Sequence, residues 1–147
     1  MQTKPTKTYL ASFVLALLGL ADTVYLTFLK FTHQEAMCMG VGDCYTVNTS
    51  PYAEIFGIPI ALLGALAYLA ILVVLWLEIR QPWFSEHGPM VMFAMTFAGV
   101  LYSAYLTYLE AEVIHAYCPY CLFSAAILLF LLILTIIRLL NEAPAAP

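Results

Sequence analysis

The sequence predicts an all-α integral membrane protein, a bundle of four transmembrane helices. Of its 147 residues, 64% are hydrophobic and 10% are charged, which is far more apolar than a soluble domain. At about 1.5 Å per residue, ~20 apolar residues cross a hydrocarbon core of ~30 Å. Four stretches have that length, and we interpret them as the spans of one domain, residues 1–147: Tyr9–Leu29, Gly57–Leu77, Pro89–Leu109 and Leu122–Leu140.

The first stretch is expected to be a retained span, because it has full length and lacks the small-residue cleavage site of a signal peptide. Its one charged residue is Asp22. An ionisable group inside a membrane is a candidate for function, such as carrying a proton. The structural alternative is a protonated Asp22 that is hydrogen-bonded to a neighbouring threonine or tyrosine.

The basic residues predict the orientation. With four spans, one side of the membrane holds four of the five: Lys4, Lys7, Arg80 and Arg138. The positive-inside rule therefore places both termini and the loop Arg80–Gly88 in the cytoplasm, with Lys30 outside. We expect the protein in the cell's inner (plasma) membrane. A basic nucleic-acid footprint is absent.

All four cysteines then face outside, where protein disulfides persist. Cys38 and Cys44 lie in the first outer loop, residues 30–56, with two glycines between them. Cys118 and Cys121 lie where the last span begins. Pro119 suits the first helical position, which makes Cys118 the cap and puts Cys121 one turn inside. Unpaired N–H groups at a helix start favour a thiolate.

The first and third spans resemble each other at an offset of 80 residues. Identical residues include Gly19 and Gly99, and Tyr25 and Tyr105, and the same offset brings Cys38 onto Cys118. Because both spans run outward, the pattern indicates a parallel repeat of a helix, a cysteine-bearing outer loop and a returning helix.

Two cysteine pairs on one side of a membrane favour thiol–disulfide exchange, although three connectivities are open and one fixed connectivity would be a scaffold. The spacing suits a route in which a soluble partner meets Cys38 and Cys44, Cys44 meets Cys118, and Cys121 makes the last transfer. No haem, flavin or nucleotide motif occurs. A lipid-soluble acceptor of two electrons is therefore needed, and a quinone fits.

Other residues near these loops have functional and structural interpretations. Phe56, Tyr120 and Tyr25 are candidates for the wall of a quinone site or for the interfacial aromatic belt. Ser50 is a candidate for a hydrogen bond near the quinone head group or for a turn cap. Residues Tyr52 to Phe56 are expected to form a short interfacial helix. The acidic residues of the loops are expected to be solvated: Asp43, Glu110 and Glu112.

At this point the sequence resembles the bacterial branch of the vitamin K epoxide reductase family. Four features carry the resemblance: Cys-x5-Cys at Cys38 and Cys44, Ser50 six residues further on, Phe-Gly-Ile-Pro from Phe56, and Cys-Pro-Tyr-Cys from Cys118. Together they extend over nearly the whole chain, from about Tyr9 to Leu140.

The resemblance implies a role for each cysteine. Cys121 would contact the quinone, menaquinone or ubiquinone, and pair with Cys118. Cys44 would bridge transiently to Cys118. Cys38 would exchange with a thioredoxin-like or DsbA-like partner, so that the protein would support disulfide formation.

Two departures from the family pattern affect these expectations. Many bacterial members carry a fused thioredoxin-like domain, whereas this sequence ends at Pro147, so we expect a separate partner protein. Animal members use an asparagine and a tyrosine where this chain has Ala53 and Ala125. Quinone reduction depends less on those polar contacts than epoxide reduction does.

Two alternatives to the enzyme remain. The soft ligands of the first outer loop suit copper(I) and would favour a copper-binding or transport protein: His33, Met37, Cys38 and Met39. A disulfide-stapled structural bundle is the second alternative. For Cys118 and Cys121, redox catalysis therefore competes with a structural or metal-binding pair.

Overall fold

The structure, a computed structural model, describes residues 6–34 and 42–142. Its elements are α1 Lys7–Thr32, α2 Cys44–Thr49, β1 Glu54–Ile55, β2 Ile58–Pro59, α3 Ile60–Arg80, α4 Pro82–Leu109 and α5 Pro119–Glu142. A 3-10 turn, Pro51–Ala53, precedes β1, and a π-helical turn, Glu110–Ile114, continues α4.

Four helices are long and apolar enough to cross a membrane, which confirms the predicted fold class. Their bounds by length and composition are Lys7–Thr32, Ile60–Arg80, Pro82–Ile114 and Pro119–Asn141. Large apolar side chains on all four point away from the protein interior, as a lipid-facing surface requires, among them Leu10, Leu66, Trp76, Phe97 and Phe130. The chain is thus a multi-pass membrane protein.

The four long helices pack in a closed ring in which α1 contacts α3, α3 contacts α4, α4 contacts α5 and α5 contacts α1. The centre of the ring is filled by buried apolar side chains: Ala16, Tyr68, Ile71, Val74, Leu75, Met92, Ile127 and Leu131. Gly19 permits the close approach of α1 to α3, because a Cβ atom there would overlap the Tyr68 ring. Gly99, its counterpart in the sequence repeat, lies against Leu128 of α5.

The connection between α3 and α4 is much shorter than the predicted loop Arg80–Gly88. α4 begins at Pro82, so Gln81 alone separates the two helices. Proline suits the first turn, where its missing N–H leaves no bond unmade. Pro89, which we expected to begin the span, lies inside α4, and Gly88 lies against Glu78 of α3.

Residues 42–59 form a cap over one end of the bundle, and this end is called the cysteine end below. The expected helix from Tyr52 to Phe56 is wrong, because Phe56 and Gly57 both adopt positive φ and close a two-residue turn between β1 and β2. Such a turn matches the twist of a hairpin. The cap's helix is α2 instead, and the Asp43 side chain accepts a hydrogen bond from Thr46 N–H at its start.

Lys30 fastens the cap to the end of α1. Its Nζ donates to the carbonyl oxygen of Asn48 at 2.6 Å and lies 3.1 Å from Glu54 Oε1. One cation therefore joins α1, α2 and the hairpin.

A buried ion pair joins α3 to α5 at the opposite end. Arg138 Nη2 donates to Glu78 Oε2 at 2.6 Å, and both side chains are buried. The Arg138 guanidinium also lies 5.9 Å from the centre of the Tyr9 ring, while Tyr9 Oη donates to the carbonyl oxygen of Leu75. Three helices thus meet around two opposite charges.

We expect Arg138→Met to destabilise the bundle by about 3–5 kcal/mol, because it leaves the Glu78 carboxylate buried without its cation. Thermal unfolding in lipid nanodiscs would measure the change. The double variant Glu78→Met/Arg138→Met should be more stable than Arg138→Met alone, since it removes both charges. A double variant that is less stable than Arg138→Met would contradict this account.

Candidate active site

The start of α5 positions Cys118 and Cys121. Because α5 begins at Pro119, as predicted, Cys118 occupies the cap position. The Cys121 N–H points at Cys118 Sγ, at 3.4 Å, and Leu122 N–H donates to the Cys118 carbonyl oxygen. Both cysteines are free thiols, and Cys118 is completely buried.

These contacts favour the thiolate of Cys118. The Cys121 thiol hydrogen-bonds to Cys118 and lowers its pKa below the ordinary value. Burial raises the pKa, the backbone N–H groups of Cys121 and Tyr120 lower it, and the Glu110 carboxylate raises it. The lowering influences prevail, so Cys118 is the better candidate for the thiolate of the pair.

Cys44 lies at the start of α2, is disulfide-bonded and is almost completely buried. It shares one buried apolar cluster with Leu26, Val47 and Cys118, against which Cys121 packs. Cys38 lies outside the described residues. The structure therefore brings Cys44, Cys118 and Cys121 together.

A direct backbone contact holds the two cysteine loops against each other. Asp43 N–H donates to the Tyr117 carbonyl oxygen at 2.8 Å, one residue before Cys44 on one side and one before Cys118 on the other. Gly42 has φ +79°, and a Cβ atom there would overlap the same carbonyl oxygen and touch Pro119. Only glycine fits this approach without displacement.

A cavity of about 400 Å³ lies beneath the cap and between the helices. Cys121 and Glu110 line it at the cysteine end, and Ser124 follows one turn further along α5. Its walls are otherwise largely apolar and come from α1, α3, α4 and the cap, including Leu26, Val47, Ala61, Leu63, Gly64, Met95, Leu106 and Leu128. A volume of this size suits a small organic ligand.

Of the four predicted quinone contacts, Ser50 lines this cavity. Its hydroxyl donates to the Val47 carbonyl oxygen, so Ser50 also ends α2. Phe56 is fully exposed at the hairpin turn and is not part of the cavity wall. Tyr25 and Tyr120 pack against each other, with ring centres 5.4 Å apart, and do not line the cavity either.

Tyr68 and Ser124 are cavity residues that the sequence analysis did not identify. Tyr68 Oη lies 2.9 Å from Ser124 Oγ and donates to the Ser124 carbonyl oxygen at 3.0 Å. The two hydroxyls therefore form a polar point in an apolar wall, close in sequence to Cys121. Ser124 lies three residues after Cys121, and that helical spacing was the available signal.

Glu110 is not the solvated loop charge that we expected. Its side chain is 3% exposed, and Oε2 accepts a hydrogen bond from Cys118 N–H at 3.1 Å. The π-helical turn explains the difference, because it continues α4 past Leu109 and turns Glu110 inward. Glu112 and Asp43 are exposed, and the Thr46 hydrogen bonds lower the pKa of Asp43.

Asp22 is buried in α1, at 8% exposure, and its Oδ2 has no hydrogen-bond partner among the described residues. It therefore lacks the threonine or tyrosine bond that we gave as its structural alternative. Within the same part of the chain, no three His, Cys, Asp or Glu residues come together as a metal site. His33 ends α1 in a left-handed conformation, and the other proposed copper ligands, Met37, Cys38 and Met39, lie outside the described residues.

We expect Cys121→Ala to raise the pKa of the Cys118 thiol, because the substitution removes the thiol that hydrogen-bonds to Cys118. The pH midpoint of thiolate formation, followed by ultraviolet absorbance, should move to higher pH. At neutral pH the thiolate fraction should fall. Tyr120→Phe keeps the backbone donors and serves as the control. A midpoint unchanged in Cys121→Ala would contradict this assignment.

We expect Gly42→Ala to slow the formation of a Cys44–Cys118 disulfide by about tenfold, equivalent to ~1.4 kcal/mol, because the added methyl group pushes the two loops apart. The measurement uses a background of Cys38→Ser and Cys121→Ser, in which Cys44 and Cys118 are the remaining cysteines. Oxidation in a glutathione buffer gives the rate.

Gly57→Ala is the matched control for that experiment. Gly57 has φ +80°, so alanine suffers the same backbone strain, but a Cβ atom there meets nothing within 4 Å. If Gly42→Ala and Gly57→Ala oxidise at equal rates, the contact with Tyr117 does not control the approach of the two cysteines.

Comparison with known proteins agrees with this arrangement. The chain is 36% identical over 111 residues to the thiol-disulfide oxidoreductase LTO1 of Arabidopsis thaliana, an alignment that covers 71% of this chain and 29% of that protein. The chain thus spans less than a third of the length of this relative. Residues 10–136, which include all four cysteines, match the vitamin K epoxide reductase family. The chain therefore belongs to the vitamin K epoxide reductase family.

Proposed function

We propose that this protein is a membrane thiol oxidoreductase that passes electrons from a thioredoxin-like or DsbA-like protein to a quinone. One observation carries the proposal: Cys121 lines a largely apolar cavity, while its neighbour Cys118 shares a buried cluster with Cys44. A thiol pair thus connects a second cysteine site to a cavity suited to an apolar acceptor. Its family and its similarity to a thiol-disulfide oxidoreductase support the activity.

The electrons would move by successive disulfide exchange. A reduced partner attacks the disulfide of the Cys38/Cys44 pair through Cys38, and the partner leaves oxidised. The Cys44 thiolate then attacks a Cys118–Cys121 disulfide at Cys118, which releases the Cys121 thiol. Resolution of the mixed disulfide by Cys38 leaves a Cys118/Cys121 dithiol. Re-forming the Cys118–Cys121 bond delivers two electrons to the quinone.

The state of the described cysteines is consistent with one point in this cycle. Cys44 is disulfide-bonded, whereas Cys118 and Cys121 are both thiols. A static scaffold would gain nothing from leaving two adjacent sulfurs reduced beside a disulfide. A dithiol that faces a cavity is the form that reduces an acceptor.

The cavity fits a quinone ring better than an epoxide. Its apolar walls suit the ring and the first part of an isoprenoid tail, and the Tyr68 and Ser124 hydroxyls are donors for a carbonyl oxygen. Ala53 also lines the cavity, at the position where animal members use an asparagine. Its methyl group offers no hydrogen bond, which favours plain quinone reduction. Menaquinone and ubiquinone share the required chemistry.

The charges support an orientation in which the cysteine end faces outside. Among the basic residues of the four long helices, Lys30 lies at the cysteine end, while Arg80 and Arg138 lie toward the other end. The positive-inside rule then puts the Arg138 end in the cytoplasm. We propose the inner (plasma) membrane and a partner that is a separate protein, as in bacterial stand-alone members.

We expect Cys121→Ala to abolish quinone reduction with any electron donor, because the Cys118–Cys121 bond can no longer form. Cys38→Ala should retain turnover with dithiothreitol, which can reach other sulfurs, and lose it with a thioredoxin-like protein donor. Purified protein in nanodiscs with a short-chain quinone allows the absorbance of the quinone to be followed.

Ser124→Ala is the control for packing at the same helix turn, and it should affect KM for the quinone more than it affects dithiol oxidation. Equal quinone reduction by Cys121→Ala and the parent would refute the proposed function. Stoichiometric copper(I) binding without quinone reduction would favour the copper-binding alternative.

A further inference from the structure

Quinone reduction by this dithiol needs a proton that the two cysteines do not hold. A quinone takes up two electrons and two protons to become a hydroquinone. The contacts at Cys118 favour its thiolate, so the reduced pair consists of one thiolate and one thiol and carries one proton. A second proton donor must therefore reach the same cavity.

Glu110 is placed to be that donor. It lines the cavity together with Cys121, and its Oε2 accepts the hydrogen bond from Cys118 N–H at 3.1 Å. The side chain is buried, and it acts electrostatically on both cysteines. One carboxyl group thus touches the acceptor cavity and the thiolate site at once.

The local backbone keeps Glu110 in this position. The Glu110 carbonyl oxygen accepts hydrogen bonds from His115 N–H and Ala116 N–H, and its own N–H donates to the carbonyl oxygens of Leu106 and Thr107. These bonds define the π-helical turn. Single π-helical turns occur frequently at functional sites, because they redirect one side chain without breaking the helix.

The surroundings of Glu110 contain no balancing cation. Among the described residues, the ion pairs are Lys30–Glu54 and Glu78–Arg138. A carboxylate without a cation, beside a thiolate and out of water, is unfavourable, and taking up a proton relieves that cost. The other titratable groups of the neighbouring elements are Asp22 of α1, Asp43 before α2, Tyr68 of α3, Glu112 and His115 of the π-helical turn and its cap, and Cys118, Tyr120 and Cys121 at α5.

We propose that Glu110 donates the second proton of quinone reduction from a protonated carboxyl group. This inference rests on the proposed function. The Cys118 thiolate, the Cys121 thiol, the protonated Glu110 and the quinone give the Cys118–Cys121 disulfide, the Glu110 carboxylate and the hydroquinone. One S–S bond and two quinol O–H bonds form, while one S–H bond and one carboxyl O–H bond break. Glu110 regains its proton from water at the cysteine end before the next turnover.

The test compares Glu110→Gln with the parent in a single turnover, in which the reduced protein in nanodiscs is mixed with a short-chain quinone. Glutamine keeps the size and the acceptor oxygen for Cys118 N–H but has no proton to donate. General acid catalysis contributes about 10²–10⁴-fold, so we expect the rate of quinone reduction to fall by at least ~100-fold. Formate in the buffer should restore part of the rate by supplying a small acid.

The matched control is Glu112→Gln, an exposed glutamate on the same π-helical turn, which should behave as the parent does. Glu110→Asp keeps an acid at the site and should be faster than Glu110→Gln. All three variants should react with dithiothreitol at the parent rate, within about twofold, in the absence of quinone, which reports an intact site.

The outcomes separate this inference from the function on which it rests. If the parent reduces no quinone, the proposed function and the role of Glu110 fail together. If the parent reduces quinone and Glu110→Gln does so at the same rate, Glu110 only holds Cys118 N–H and the proton role is wrong. A Glu110→Gln defect that formate does not relieve, or a Glu110→Asp slower than Glu110→Gln, would also overturn it.

Discussion

The hydrogen bond from Asp43 N–H to the Tyr117 carbonyl oxygen is the contact on which the site depends. It joins the residue before Cys44 to the residue before Cys118, and so connects the cap to the start of α5. Neither partner is catalytic, and no side chain takes part. The contact instead requires that Gly42 carry no Cβ atom. A relay between two sulfur pairs needs such a contact, because exchange requires one sulfur to reach another at bonding distance.

The same contact explains why the dithiol and the cavity lie on opposite sides of one helix turn. The cap presses on Cys118 from above, so Cys118 is completely buried, whereas Cys121 lies one turn deeper and lines the cavity. The hydrogen bonds from Cys121 to Cys118 join the two sides and lower the pKa of the Cys118 thiol. Entry and exit of electrons thus use different sulfurs of one pair.

The sequence predicted the features that depend on composition and spacing. Apolar length alone gave the four spans, and Pro119 after Cys118 gave the start of α5. It missed what depends on local backbone geometry or on packing between distant residues. Phe56-Gly57 is an unusual pair for a turn with two positive φ angles, so the hairpin was read as helix. The burial of Glu110 depends on a π-helical turn, which has no residue signature.

The repeat also explains why the two halves of the chain do different work. Thr23 and Leu26 of α1 and their counterparts Ser103 and Leu106 of α4 all line the cavity, so both outgoing helices contribute equivalent wall positions. Both of these helical segments end in a left-handed histidine, His33 or His115. Beyond those histidines the halves diverge. The first half continues into the cap with Cys44, and the second continues directly into α5. Since the cap closes the cavity from above, access for an apolar molecule is left between the helices, from the lipid side.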